Sequence, residues 1–188
     1  MTDRPGRRSS GAVVFLTGLS GSGKSTIAEA FAERLRAAGR PVAIVDGDVL
    51  RALDAAPLGY DRASREANVR RAAELAEQWA ADGQIAVAAL IAPFESARRE
   101  ARAIVERTAP FLLAYVSTPL EVAEARDPKG LYRKARAGEI PEFTGIDSPY
   151  EIPADADLVL DTTVLSVDDS VDAIERALAV RLQGAPGS

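Results

Sequence analysis

Gly18-Leu19-Ser20-Gly21-Ser22-Gly23-Lys24-Ser25-Thr26 decides how the rest of the chain is read. It is a glycine, four residues, then Gly-Lys-Ser, the pattern of a phosphate-binding loop. The flanks supply the context that pattern needs. Ala12-Val13-Val14-Phe15-Leu16-Thr17 is a short apolar run and reads as a buried strand. Downstream, Ile27, Phe31 and Leu35 recur at helical spacing, as on one face of a helix. A loop between a strand end and a helix N-terminus turns its backbone N–H groups, and the positive end of the helix dipole, toward phosphate oxygens. Lys24 is then expected to reach the β- and γ-phosphates of a nucleotide, and the Ser25 hydroxyl to take Mg²⁺. A plain Gly/Ser-rich turn would need neither the strand, the helix, the lysine nor the hydroxyl in register.

The chain has 188 residues, enough for one α/β domain with a real core. With 47% hydrophobic and 27% charged residues, it has the balance of a soluble globule. It contains no cysteine and no histidine, which excludes disulfides, thiolate metal sites and imidazole catalysis. Acid–base work falls to Asp, Glu, Lys or Tyr. A net charge of −5 argues against a nucleic-acid polymer as partner. No apolar run approaches membrane-spanning length. Residues 1–10 are polar, with Arg4, Arg7 and Arg8 and no apolar stretch, so they read as a loose tail rather than a secretory signal. A cytoplasmic location is expected.

Outward from the loop, strands and helices alternate. Gly39 is placed to stop the first helix. Pro41-Val42-Ala43-Ile44-Val45 reads as a second strand ending on Asp46-Gly47-Asp48. A long helix is expected from about Arg65, with Val69, Ala72, Ala76 and Trp79 inward, stopping at Gly83. Residues 85–91 and 111–116 read as strands, and 95–107 between them as a helix burying Ala97, Ala101, Ile104 and Val105. Thr118-Pro119-Leu120-Glu121 has the form of a capping box with proline at the first helical position. Leu158-Val159-Leu160 makes a fifth short strand, and a last helix runs from Ser166 to about Leu182. This order predicts a doubly wound, mostly parallel five-stranded α/β sheet of the P-loop kinase type. One domain is expected over residues 11–182, with frayed residues 183–188 after it. Residues 127–153 are rich in Gly, Pro and charge and too long for a mere connection, so they read as a lid. Ligands of such sheets bind at the carboxyl ends of the strands. That rule gathers the loop, Asp46, Asp48 and the segment after Ile91 around one crevice.

Asp46-Gly47-Asp48 is a common turn sequence, but beside a phosphate loop its carboxylates suit Mg²⁺ or an attacking hydroxyl. Arg51, Arg62, Arg65, Arg70 and Arg71 form a basic stretch in an acidic protein, with two or three expected to grip an anionic substrate and the rest to be surface. Arg126, Lys129, Arg133, Lys134 and Arg136 form a second cluster, opposed locally only by Asp127. Loop cations that close over a phosphoryl group stabilise transition-state charge. Tyr60 and Phe143 sit in polar, Gly-containing surroundings. Two uses fit them, stacking a planar base or plugging small clusters under loops.

Four stretches together resemble the adenylylsulfate kinase (APS kinase) family. They are the phosphate loop; Asp46-Gly47-Asp48-Val49-Leu50-Arg51; Leu58-Gly59-Tyr60 with Arg65 and Asn68-Val69-Arg70-Arg71; and Arg126-Asp127-Pro128-Lys129-Gly130-Leu131-Tyr132-Arg133-Lys134-Ala135-Arg136 on through Phe143-Thr144-Gly145-Ile146-Asp147 to Pro149-Tyr150-Glu151. The likeness runs over about residues 11–182, and the last stretch is the most distinctive. The resemblance implies transfer of the ATP γ-phosphoryl group to the ribose 3′-hydroxyl of adenosine 5′-phosphosulfate (APS). By position, Gly18, Leu19, Ser20, Gly21, Ser22, Gly23, Lys24, Ser25 and Thr26 would hold ATP, joined by Arg126. Asp48 would orient or deprotonate the 3′-hydroxyl and share the Mg²⁺ shell with Asp46 and Ser25. Arg51, Arg65 and Asn68 would bind phosphosulfate and ribose, Tyr60 and Phe143 would sandwich the acceptor adenine beside Ile91, and Lys129 would come in catalytically from the lid. The family suggests a homodimer, and an ATP sulfurylase upstream as the source of substrate.

The sequence departs from the family at four places. Ile91-Ala92-Pro93 stands where the family usually reads Ile-Ser-Pro, so the phosphorylated-serine role assigned there has no counterpart here. Val49 replaces a frequent Asn, Ala52 a polar residue or His, and Ala97 a frequent Asp. All four are expected around the acceptor pocket. They raise two other readings, a kinase of the same fold with a shifted nucleotide-like acceptor, and a non-catalytic nucleotide-binding protein. Intact Lys24, Asp48 and Lys129 argue against the second.

Overall fold

The strand before the phosphate loop, β1 (Ala12–Thr17), is buried along its whole length. In the computed structural model, which describes residues 11–52 and 61–184, it is the middle of a five-stranded sheet. Its neighbours are β2 (Val42–Asp46), β3 (Ile85–Ala89), β4 (Phe111–Ser117) and β5 (Leu158–Asp161), in the order β2-β3-β1-β4-β5. Every pairing is parallel, as expected when each strand is followed by a helical crossover.

Alternation along β1 explains both layers. Ala12, Val14 and Leu16 face one way, onto α1 (Lys24–Ala37) and α7 (Val167–Gly184), with Ile27, Phe31, Leu35, Ile174 and Leu178. Val13 and Phe15 face the other, onto α3 (Arg62–Ala81) and α4 (Glu95–Val105), with Val69, Ala72, Ala76, Ala101 and Ile104. A sheet buried on both faces is why these strands read as unbroken apolar runs. Gly39, φ 71°, ends α1 as expected, with the Arg40 N–H on the Leu35 carbonyl at 2.9 Å.

Three details differ from the sequence reading. The third strand stops at Ala89 rather than Ile91, because the Ile91 carbonyl accepts from Gly18 N–H and Thr17 Oγ1 instead of continuing the ladder. Ala92 then turns the chain with φ 43°. Thr118 does not cap the next helix: Pro119 is the cap of α5 (Leu120–Arg126), without a side-chain bond, and the Thr118 hydroxyl contacts Ser22 O and Thr162 instead. Finally, a short helix α2 (Gly47–Ala52) follows β2 directly, where only a turn or a carboxylate pair was foreseen.

The lid segment contains one further helix, α6 (Leu131–Arg136). Asp127 starts it by accepting from the Tyr132 and Arg133 N–H groups, both at 3.1 Å. Burial would raise the Asp127 carboxyl, but those backbone donors outweigh it and hold it below the ordinary range. The lid has its own small core of Ala123, Tyr132, Ala135 and Phe143.

Candidate active site

The loop after β1 crosses the middle of the sheet, where consecutive crossovers leave in opposite directions. Two glycines are required there. A Cβ on Gly18 would stand 2.5 Å from the Val116 carbonyl, and one on Gly21 (φ 72°) 2.8 Å from the Ala123 carbonyl. Lys24 opens α1 and is nearly buried. Its ammonium donates to Gly18 O at 3.0 Å, Leu19 O at 2.7 Å and Ser22 Oγ at 3.3 Å. Across the loop the Ser25 hydroxyl donates to Asp46 Oδ2 at 2.9 Å, joining the first turn of α1 to the end of β2.

These groups line one end of a cavity of about 580 Å³ that runs along the carboxyl ends of the strands. Of the expected loop set, residues 20–26 line it, whereas Gly18 and Leu19 lie beneath and turn their carbonyls to Lys24. The other end is walled by Arg65 and Asn68 of α3, Ile91 and Ala92 after β3, and Phe143 of the lid. Arg126 and Lys129 also line the cavity. The side chains of Asp48, Arg51 and Ala52, and the whole of Tyr60, lie outside the described residues.

Arg65 is buried and reaches the lid: Nη1 donates to Thr144 Oγ1 at 2.6 Å and Nη2 to the Glu142 carbonyl at 2.5 Å. Asn68 donates through Nδ2 to Gly47 O at 3.4 Å, and its buried Oδ1 has no donor among the described residues. A buried acceptor without a partner is costly unless a ligand completes it. Phe143 is buried edge-on against Tyr132, ring centres 5.0 Å apart, so it plugs a small cluster under the lid, and it also lines the cavity. The Tyr132 hydroxyl donates to Ser20 O at 2.9 Å, tying the lid to the phosphate loop, and burial pushes that phenol up to about 12.

This cavity joins a phosphate loop to a second, arginine- and amide-lined pocket under a lid. The family model for adenylylsulphate kinase matches residues 10–161. An adenylyl-sulfate kinase of Geotalea uraniireducens is 49% identical over 174 residues, covering 93% of this chain and 82% of its own. One from Bacillus pumilus is 50% identical over 158 residues, covering 84% and 80%. Among solved structures, the Mycobacterium tuberculosis APS kinase in complex with AMPPNP and APS superposes with a TM-score of 0.87 at 40% identity, covering 90% of this chain and 98% of that one. The chain belongs to the adenylylsulphate kinase family.

Against that family the four departures separate. Ala92 lines the cavity, but Ala97 packs into the core beneath α4, and Val49 is 61% exposed and off the cavity wall. Among the described residues, then, Ala92 lines the cavity and Val49 and Ala97 do not. The basic stretch also sorts itself. Arg62 pairs with Glu66 and Arg70 with Glu100 on the outer face, while Arg65 points inward. In the second cluster Arg136 is held bidentate by Glu124 of α5, so Asp127 is not the only local acid. Arg126 donates to Thr162 Oγ1 at 3.0 Å and Thr162 O at 2.9 Å.

Sequence reasoning about this kinase chain missed Thr162 and Arg98. Thr162 follows the carboxyl end of β5, where strand-end rules place ligands, and it lines the cavity. Arg98 stands on the apolar stripe of α4, in register with Ala101 and Val105, and a charge in that stripe is a visible signal.

Proposed function

We propose that this protein transfers the γ-phosphoryl group of ATP to the 3′-hydroxyl of APS, giving ADP and 3′-phosphoadenosine 5′-phosphosulfate. The observation that carries the reading is the single cavity with the phosphate loop at one end and Arg65, Asn68 and Phe143 at the other. In the reaction a bond forms between the 3′-oxygen and the γ-phosphorus, the bond from that phosphorus to the β,γ-bridging oxygen breaks, and the hydroxyl proton leaves to a base. Catalysis of such a transfer is mostly positioning and charge stabilisation. Loop N–H groups of residues 20–26 and Lys24 would hold the phosphates, with Lys24 exchanging its carbonyl partners for phosphate oxygens. Asp48 fills the base's role by sequence position. Arg65 with Arg51 would meet the phosphosulfate, and Asn68 Oδ1 would accept from the ribose. Phe143 with Tyr60 would face the adenine beside Ile91, and Arg126 and Lys129 would close over the transferring group.

Mg²⁺ fits the donors present. A hydroxyl and a carboxylate already in contact, Ser25 and Asp46, suit an ion that takes most of its ligands from phosphates and water. Bound Mg²⁺ would neutralise charge on the phosphates. We read residues 11–182 as one kinase domain acting in the cytoplasm, as a homodimer, on APS made by an ATP sulfurylase. Among the described residues no helix is long and apolar enough to cross a membrane.

Ala92, on the cavity wall, favours a second reading with a different nucleotide-like acceptor. An ATP-coupled assay over a panel of adenylylated acceptors tests both. Turnover with APS well above the others is expected. No product from APS together with turnover of another acceptor would sink the first reading and establish the second.

A further inference from the structure

Arg98 is 2% exposed, and among the described residues no carboxylate pairs with it. Its Nη1 donates to the Ala92 carbonyl and its Nη2 to the Glu151 carbonyl, each at 2.7 Å. The guanidinium lies 5.8 Å from the centre of the Tyr150 ring, and Nε is buried with no hydrogen-bond partner among the described residues. Burying a cation on main-chain carbonyls alone is costly, so what it holds must matter to the fold or the site.

Both carbonyls belong to strained or jointed positions. Ala92 is left-handed at φ 43°, a conformation disfavoured for any side chain, and it forms part of the cavity wall. Glu151 is where the lid returns to the body. Its N–H donates to Pro93 O at 2.9 Å, and its Oε2 accepts from the Glu95 N–H at 2.6 Å. Beside it, Tyr150 OH and Thr17 Oγ1 are 2.9 Å apart, and Thr17 donates to Ile91 O at 2.6 Å. Wall and lid return are thus stitched together, with Arg98 the charged centre of the stitch. The phosphate loop takes no bond from Arg98.

We propose that Arg98 is a positioning residue that holds the cavity wall at Ala92 in its left-handed form and locks it to the lid return at Glu151, thereby setting the acceptor end of the cavity without touching the nucleotide end. The proposal rests on the acceptor reading given above.

The test uses the full chain carrying Arg98→Met, Ala92→Gly, or both. In steady-state assays with ATP and APS, Arg98→Met raises the acceptor KM about tenfold and leaves the ATP KM within about twofold. Glycine adopts a left-handed backbone freely, so Ala92→Gly in the Arg98→Met background recovers several-fold of that loss. A merely loosened protein would raise both KM values together and gain nothing from the glycine, and either result overturns the proposal. If Arg98→Met does not fold, Arg98→Lys, whose ammonium can reach one of the two carbonyls, is read in the same way. Hydrogen exchange supplies a readout independent of turnover. Faster exchange at the Glu95 and Glu151 amides of the variant, with β1 unchanged, supports the proposal; unchanged rates at those two amides overturn it. A wild-type chain that phosphorylates other acceptors but not APS defeats the substrate reading alone, and the exchange result then decides on Arg98.

Discussion

At the scale of single residues, Lys24 shows how a site can be built before its ligand arrives. Its ammonium is held by two loop carbonyls and the Ser22 hydroxyl, all acceptors that phosphate oxygens can replace. None of these contacts belongs to the apolar clusters on either face of the sheet. Lys24→Ala is therefore expected to lower kcat by about a hundredfold or more, since under the proposed function it removes the charge meant for the transferring group. The same variant should melt within about 3 °C of the wild type, because the hydrogen bonds named for the ammonium run to the loop rather than into the apolar core. A coupled assay and a thermal melt on one preparation check both, and a large fall in melting temperature would count against the assignment. This residue and the Ser25–Asp46 contact were legible in the sequence, because the loop motif carries its own local geometry. Arg98 was not recognised, since both carbonyls it binds are defined only after the chain folds back on itself.

At the scale of elements, the lid is tied to the rest of the site at other points besides its return at Glu151. One is Arg65 to Thr144 and Glu142, and another is the Tyr132 hydroxyl to Ser20 O. The second links α6 directly to the phosphate loop. Tyr132→Phe keeps the ring against Phe143 and removes only that bond, a loss of about 1 kcal/mol, or roughly fivefold in the KM for ATP. The acceptor KM should change less. The phenol also predicts a pH effect. Its folded pKa, about 12, lies above the ordinary tyrosine value of 10.0, so the folded state keeps a proton that the unfolded chain gives up. Its stabilisation is complete below pH 10.0 and is lost as the pH rises toward about 12. Denaturant midpoints measured across that window should fall less steeply for Tyr132→Phe than for the wild type; parallel slopes would contradict the burial of the hydroxyl. The periodicity of residues 127–153 was too weak to show α6, because its six residues bury little more than Tyr132 and Ala135.

At the scale of the whole molecule, α1 and α7 meet over the sheet through an apolar seam and a charged rim, and the magnitudes tell which matters. Arg34 faces Asp168, Asp172 and Glu175 of α7, all at least partly exposed. Exposed pairs contribute about 0–1 kcal/mol, so Arg34→Ala should cost about that much, and less at high salt. Ile174 on the same helix is fully buried against the sheet. Ile174→Ala should cost about 3 kcal/mol through lost burial and a cavity. Urea unfolding of the two variants decides the order, and an Arg34 effect as large as that of Ile174 would show that the rim is a cooperative network instead.

The sequence by itself determined the layered fold, the phosphate loop and the boundaries of most elements. Those depend on local patterns: apolar runs for strands buried on both faces, helical spacing, and glycines where a left-handed turn ends a helix. It also carried the family, through motifs spread along the chain. Only the tertiary structure decided which charged residues face inward. Arg65 and Arg70 are alike in sequence, yet one reaches the lid and the other pairs with Glu100 outside, because helical rotation against the sheet turns them to different faces. It likewise decided that Ala92 lies on the cavity wall and Ala97 in the core, and that Thr162 meets Arg126. Such pairings depend on distances between residues far apart in the chain, and packing sets those distances.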